Sequence, residues 1–81
     1  MAYAVKSFKV EGTTSDFIVL HNSEKQVSES VGTMSEAMSD MEYELNLLKK
    51  NGAEIKMQGD DRAFVIDESN RVTKMFDVVE L

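Results

Sequence analysis

The sequence predicts an α+β domain in which one long helix lies across a single antiparallel sheet of about five strands, in the order β-β-α-β-β-β. Three observations lead there. Apolar residues recur at spacings of 4, 3, 4, 3, 4 and 3 along Val27, Val31, Met34, Met38, Met41, Leu45 and Leu48, the heptad seam of a helix. Two strand-like runs joined by a turn cluster precede this seam, and three more follow it at short intervals. The chain has 81 residues, which fits one domain, residues 1–81, with a core near the lower limit of unaided folding.

Tyr3 to Glu11 alternates as a strand, with Tyr3 and Val5 on one face and Phe8 and Val10 on the other. That change of parity implies a bulge near Lys6-Ser7, or a strand that is apolar on opposite faces in its two halves. Gly12-Thr13-Thr14-Ser15-Asp16 is a turn cluster. Phe17-Ile18-Val19-Leu20 follows as a continuous apolar run, the kind expected of a central strand covered on both faces. These two runs form a first hairpin.

Ser23-Glu24-Lys25-Gln26 has the capping-box pattern, and the seam begins directly after it. Lys49 and Lys50 suit the negative end of the helix dipole, and Asn51-Gly52 is a left-handed stop. Gly32 interrupts the pattern at a cost of about 1 kcal/mol relative to alanine, and Thr33-Met34-Ser35-Glu36 is a second capping box behind it. A single helix from about Glu24 to Asn51 is the preferred reading, because the seam crosses Gly32 without a skip. A break and restart at Gly32 is the alternative. Beyond Gly52, Ala53 to Met57 alternates, Gly59-Asp60-Asp61 turns the chain into Arg62–Asp67, and Glu68-Ser69-Asn70 turns it into Val72–Leu81, an antiparallel meander.

A helix of about 28 residues spans about 42 Å, whereas strands of six or seven residues span about 20 Å. Part of the seam would then overhang its own sheet. Burying a Val, Leu or Met side chain is worth about 1.5–3 kcal/mol, so the overhang calls for a second copy of the chain. A homodimer seam of Val27, Val31, Met34 and Met38 is the expectation. The opposite helix face carries Tyr43 and Leu47, about 180° and 220° from Met34, among Glu36, Asp40, Glu44 and Lys50. Tyrosine is enriched in binding hot spots, which makes Tyr43, Leu47, Glu36, Asp40 and Glu44 the expected surface for a protein partner.

Catalytic patterns are lacking. His21 is the sole histidine, with no nucleophile elbow to pair with it. Gly12, Gly32, Gly52 and Gly59 are too scattered for a phosphate-binding loop. Without cysteine, thiolate metal sites and thiol chemistry are excluded. Asp60-Asp61 and Asp67-Glu68 bracket one strand and lie at its two ends, with no calcium-loop spacing. No enzyme activity, cofactor or metal is expected.

The charge balance, 9 basic against 15 acidic residues for a net −6, disfavours non-specific binding to nucleic acid or anionic membranes. With no apolar run of membrane-spanning length and no apolar leader in Met1–Gly12, the expected compartment is the cytoplasm. The leading functional expectation is a non-catalytic, homodimeric interaction module that binds or inhibits a macromolecular partner. Its analogy to phage-encoded antagonists is one of size and charge only. The alternatives are a nucleic-acid module using a basic sheet face of Lys6, Lys56 and Lys74, or a small structural assembly subunit.

Overall fold

The computed structural model describes all 81 residues, Met1–Leu81. It is an α+β fold with one helix and a single antiparallel sheet of six strands: β1 (Tyr3–Gly12), β2 (Phe17–Val19), β3 (Lys25–Gln26), α1 (Met34–Lys50), β4 (Glu54–Met57), β5 (Arg62–Ile66) and β6 (Val72–Glu80). The spatial order is β2-β1-β6-β5-β4, so the first and last long strands pair at the centre. β3 joins the same edge of β1 as β2, through Lys6–Gln26 and Ser7–Lys25. The meander β4-β5-β6 matches expectation.

The helix differs from expectation in length. It has 17 residues, not about 28, and the continuous heptad helix from Glu24 is replaced by an irregular edge strand followed by a restart at the second capping box. Val27 donates its amide to Val5 O at 2.9 Å, and Val31 exchanges two hydrogen bonds of 2.8 Å with Tyr3. Ser28 Oγ accepts the Val5 amide at 2.8 Å. The physical reason lies in the segment Val27-Ser28-Glu29-Ser30-Val31-Gly32, which is poor in helix formers. The open edge of β1 offers it backbone partners instead. The Ser23 hydroxyl does not cap a helix; it donates to Leu20 O at 2.6 Å and ties down the preceding turn.

The helix ends are well specified. Thr33 is extended (φ −133°, ψ 154°), and its hydroxyl accepts the Glu36 amide at 3.2 Å while donating to Glu36 Oε1 at 3.0 Å. At the other end Gly52 (φ 92°) donates to Lys49 O, and Ala53 donates to Leu48 O. That pair of bonds is a Schellman stop.

The expected overhang is reversed. At 1.5 Å per residue α1 is about 25 Å long, while the ten residues of β1 span about 33 Å. The seam residues Val27 and Val31 pack on the molecule's own core, so no overhanging stripe calls for a second chain.

Two cores form on opposite faces of the sheet. On one face, Ala37, Met41 and Leu45 of α1 cover Val5, Ala63, Phe76 and Val78. On the other, Val10, Phe64, Ile66, Val72 and Met75 are buried without any helix over them. Pairing of β1 with β6 runs unbroken from Tyr3 to Lys9 and slips only between Lys9 and Gly12. There is accordingly no bulge at Lys6-Ser7, and β1 is apolar on opposite faces in its two halves.

The second core is closed by curvature. Phe17 of β2 meets Phe64 of β5 edge-to-face, ring centroids 5.1 Å apart, although β1 and β6 lie between these strands and flat neighbours would be about 4.8 Å apart per step. The sheet therefore coils toward this face. The run Phe17–Leu20 is an edge strand, not the expected central one, and Ile18 is 62% exposed. Gly12 (φ 121°) permits the tight turn into it; a Cβ there would lie 2.3 Å from Asp16 O.

Candidate interaction surface

The outward side of α1 follows from how the inward side is used. Ala37, Met41 and Leu45 point into the core, so residues about half a turn away face solvent. Glu36, Asp40, Tyr43, Leu47 and Lys50 then fall at i, i+4, i+7, i+11 and i+14, one continuous outer stripe. Tyr43 is 65% exposed and Leu47 43%. Glu36 is exposed, while Asp40 and Glu44 are half-buried at the flank of the helix. The structure thus brings together the five residues singled out as a protein-binding surface, on a helix whose two ends are both capped.

The seam residues are dispersed. Val27 and Val31 follow β3 and hydrogen-bond to the edge of β1 at Val5 and Tyr3, Met38 is half-buried against the helix-side core, and Met34 lies 40% exposed in the first turn. The opposite flank of α1 borders a cleft of about 450 Å³ beside the free edge of β4, lined by Met38, Met41, Leu45 and Met57.

The three lysines of the alternative nucleic-acid face are not brought together. Register places Lys6 beside Asp77 and Lys56 beside Phe64, both on the face away from the helix. Lys74 stands opposite Lys9 on the helix side, its ammonium 5.4 Å from the centre of the Phe76 ring. Lys6 is moreover paired with Glu24 Oε1 at 2.8 Å. Arg62 grips Asp77 with two bonds, Nε to Oδ1 at 2.7 Å and Nη2 to Oδ2 at 3.1 Å. Hydrogen bonding to Asp77 raises the Arg62 guanidinium above its ordinary value, against a smaller opposing effect of burial.

His21 is exposed in the turn after β2. Asp60 and Asp61 precede β5 while Asp67 and Glu68 follow it, so the two pairs do not converge. Asp67 Oδ1 instead accepts the Ser69 and Arg71 amides at 2.8 and 3.0 Å, holding the β5–β6 turn. No helix is long and apolar enough to cross a membrane. Comparison with protein-family models, curated proteins and solved structures finds no match to this chain.

Proposed function

We propose that this protein is a non-catalytic interaction module that docks a protein partner on the outer stripe of α1. The observation that carries this reading is the pair Tyr43 and Leu47, both substantially exposed and adjacent at i and i+4 on the solvent side of a doubly capped helix. A tyrosine in this setting offers large contact area with few torsions to freeze. Glu36 and Asp40 on the same stripe, with Glu44 beside it, favour a partner whose apolar socket is rimmed by lysine or arginine. Occupying such a surface is how the module would inhibit its partner; the small acidic phage antagonists are parallels in size and charge only.

The test compares capture of host proteins by the native chain and by the Tyr43→Ala/Leu47→Ala double variant. Hot-spot truncations cost about 2 kcal/mol or more each, so a specifically captured protein should be lost from the variant. Both residues are exposed, and substitutions at such sites shift stability by about 0.5 kcal/mol or less. The unfolding midpoint should therefore stay nearly unchanged. A partner retained at full affinity by the double variant would move the binding surface elsewhere.

A further inference from the structure

Between the pairs Lys9–Lys74 and Gly12–Val72 the central strands slip register, so that Val10 and Glu11 of β1 stand against the single Thr73 of β6. A cavity of about 600 Å³ opens there, and no residue of α1 lines it. Lys9 and Lys74 sit directly across from each other, and Arg71 lines the same cavity. Like charges placed opposite on adjacent strands destabilise the pairing. None of the three cations makes an ion pair; the Phe76 ring offers Lys74 its one compensating contact.

Carboxylates are plentiful in this chain, yet none forms an ion pair with the trio. Of the two at the cavity, Asp67 is committed to the amides of its own turn, and Glu11 pairs with none of the three cations. The other face of the sheet is built differently, with Lys6 held by Glu24 and Arg62 held by Asp77.

We propose that Lys9, Arg71 and Lys74 bind the phosphate group of a small phosphorylated molecule. A phosphate carries nearly two negative charges and several acceptor oxygens, which suits two ammonium groups and one guanidinium fork. Leu20, half-buried, lines the same cavity and gives an organic body something apolar to rest on, in a volume ordinary for small-ligand sites. A long polyanion fits poorly, because only three cations line the cavity and the chain as a whole carries −6. The site is separate from the outer stripe of α1 and does not depend on it.

The test is a titration of ¹⁵N-labelled protein at low ionic strength, with inorganic phosphate in one arm and adenosine monophosphate in another. Saturable shifts are expected at the amides of Lys9, Val10, Thr73 and Lys74. Lys74→Gln should weaken binding at least tenfold, while Lys56→Gln, which removes the same charge from the other face, should leave it unchanged. Without ligand, Lys9→Gln should raise the melting temperature by relieving the repulsion, and should abolish the further rise that phosphate gives the native chain. Saturation by inorganic phosphate supports the site and names free phosphate as sufficient; saturation by the nucleotide alone supports it and requires the organic body. Shifts that grow linearly without saturating, or equal weakening by Lys56→Gln, overturn the site. Affinity for oligothymidylate that rises with length overturns the assignment to a small ligand.

Discussion

The two cores reach the same burial by different means. Met41, in the core under the helix, is 2% exposed, and Phe64, in the core on the bare face, is 1% exposed. The first is closed by a separate element whose ends are capped and whose apolar residues recur at i, i+4 and i+8. The second has no covering element and is closed because the sheet coils until Phe17 reaches Phe64. Burial under the helix is thus a matter of docking, and burial under the curl is a matter of sheet shape. Because β1, β5 and β6 contribute alternate residues to both, the two cores share the same backbone.

Shared strands imply shared fate, and the largest expected effects test that. Phe64→Ala should cost about 3–5 kcal/mol and Met41→Ala about 2–5, large against the total stability of about 5–10 kcal/mol that a domain of this size reaches. For either variant, urea unfolding followed by helical circular dichroism and by the methyl resonance of Met75 in the bare-face core should give coincident transitions at lowered midpoints. A Phe64→Ala chain that kept its helix through a separate, later transition would show that the cores are independent units.

Gly12→Ala separates the cores more finely. The new Cβ would collide with Asp16 O in a backbone conformation that L side chains rarely adopt, and such strain costs about 1–3 kcal/mol before the clash is counted. The damage should be local to the curl. Methyl resonances of Met75 should move while those of Met41 stay near their native positions. Equal displacement of both would mean that the turn at Gly12 shapes the whole sheet and not one face of it.

Much of this division was legible. The parity switch along β1, Tyr3 and Val5 against Phe8 and Val10, is the trace of the two cores, since a strand serving one face would keep one parity. The meander, the Asn51-Gly52 stop and the outward position of Tyr43 and Leu47 also follow from local chemistry. What failed was everything decided by long-range pairing. Val27 and Val31 match the helical seam in spacing, but the vacant edge of β1 at Tyr3 and Val5 competes for their backbone, and no local pattern records that edge. Phe17–Leu20 looks central because it is wholly apolar, yet it lies at the edge, where Phe17 serves to seal the curl. The basic trio leaves no local pattern, because Lys9 and Lys74 are 65 positions apart and only the central β1–β6 pairing sets them face to face.

The polar part of the bare face gives a smaller effect. Arg62 and Asp77 form a two-bond fork, partly shielded, with the Asp77 side chain 15% exposed. Arg62→Lys keeps the charge but loses the planar fork, and with the guanidinium partly open to solvent the cost should be about 1 kcal/mol. Asp77 raises the Arg62 proton affinity, so the stabilisation is complete below the unfolded-state value and is lost only as pH climbs through the still higher folded one. Titration of Arg62 should therefore leave the native-minus-variant difference in urea midpoint flat between pH 6 and 9 in roughly neutral buffers. A difference that fell steadily with rising pH in that window would point to another group.

The helix-side core has its own minor determinant, and it discriminates between the two capping boxes. Thr33→Ala removes the hydroxyl that accepts the Glu36 amide and should cost about 1 kcal/mol, with a lower helical signal as the first turn frays. Ser23→Ala removes bonds to Leu20 O and Lys9 O, which hold a turn and not a helix. It should leave the helical signal at its native level even where the midpoint falls slightly. A loss of helical signal in Ser23→Ala would place the helix start near Glu24, take Val27 and Val31 off the edge of β1, and restore the long seam with its unmet need for a second chain. Retained signal in Ser23→Ala with a frayed Thr33→Ala would fix the start at Met34, and with it the shorter helix that leaves the far half of the sheet to the curl on one face and to the lysines on the other.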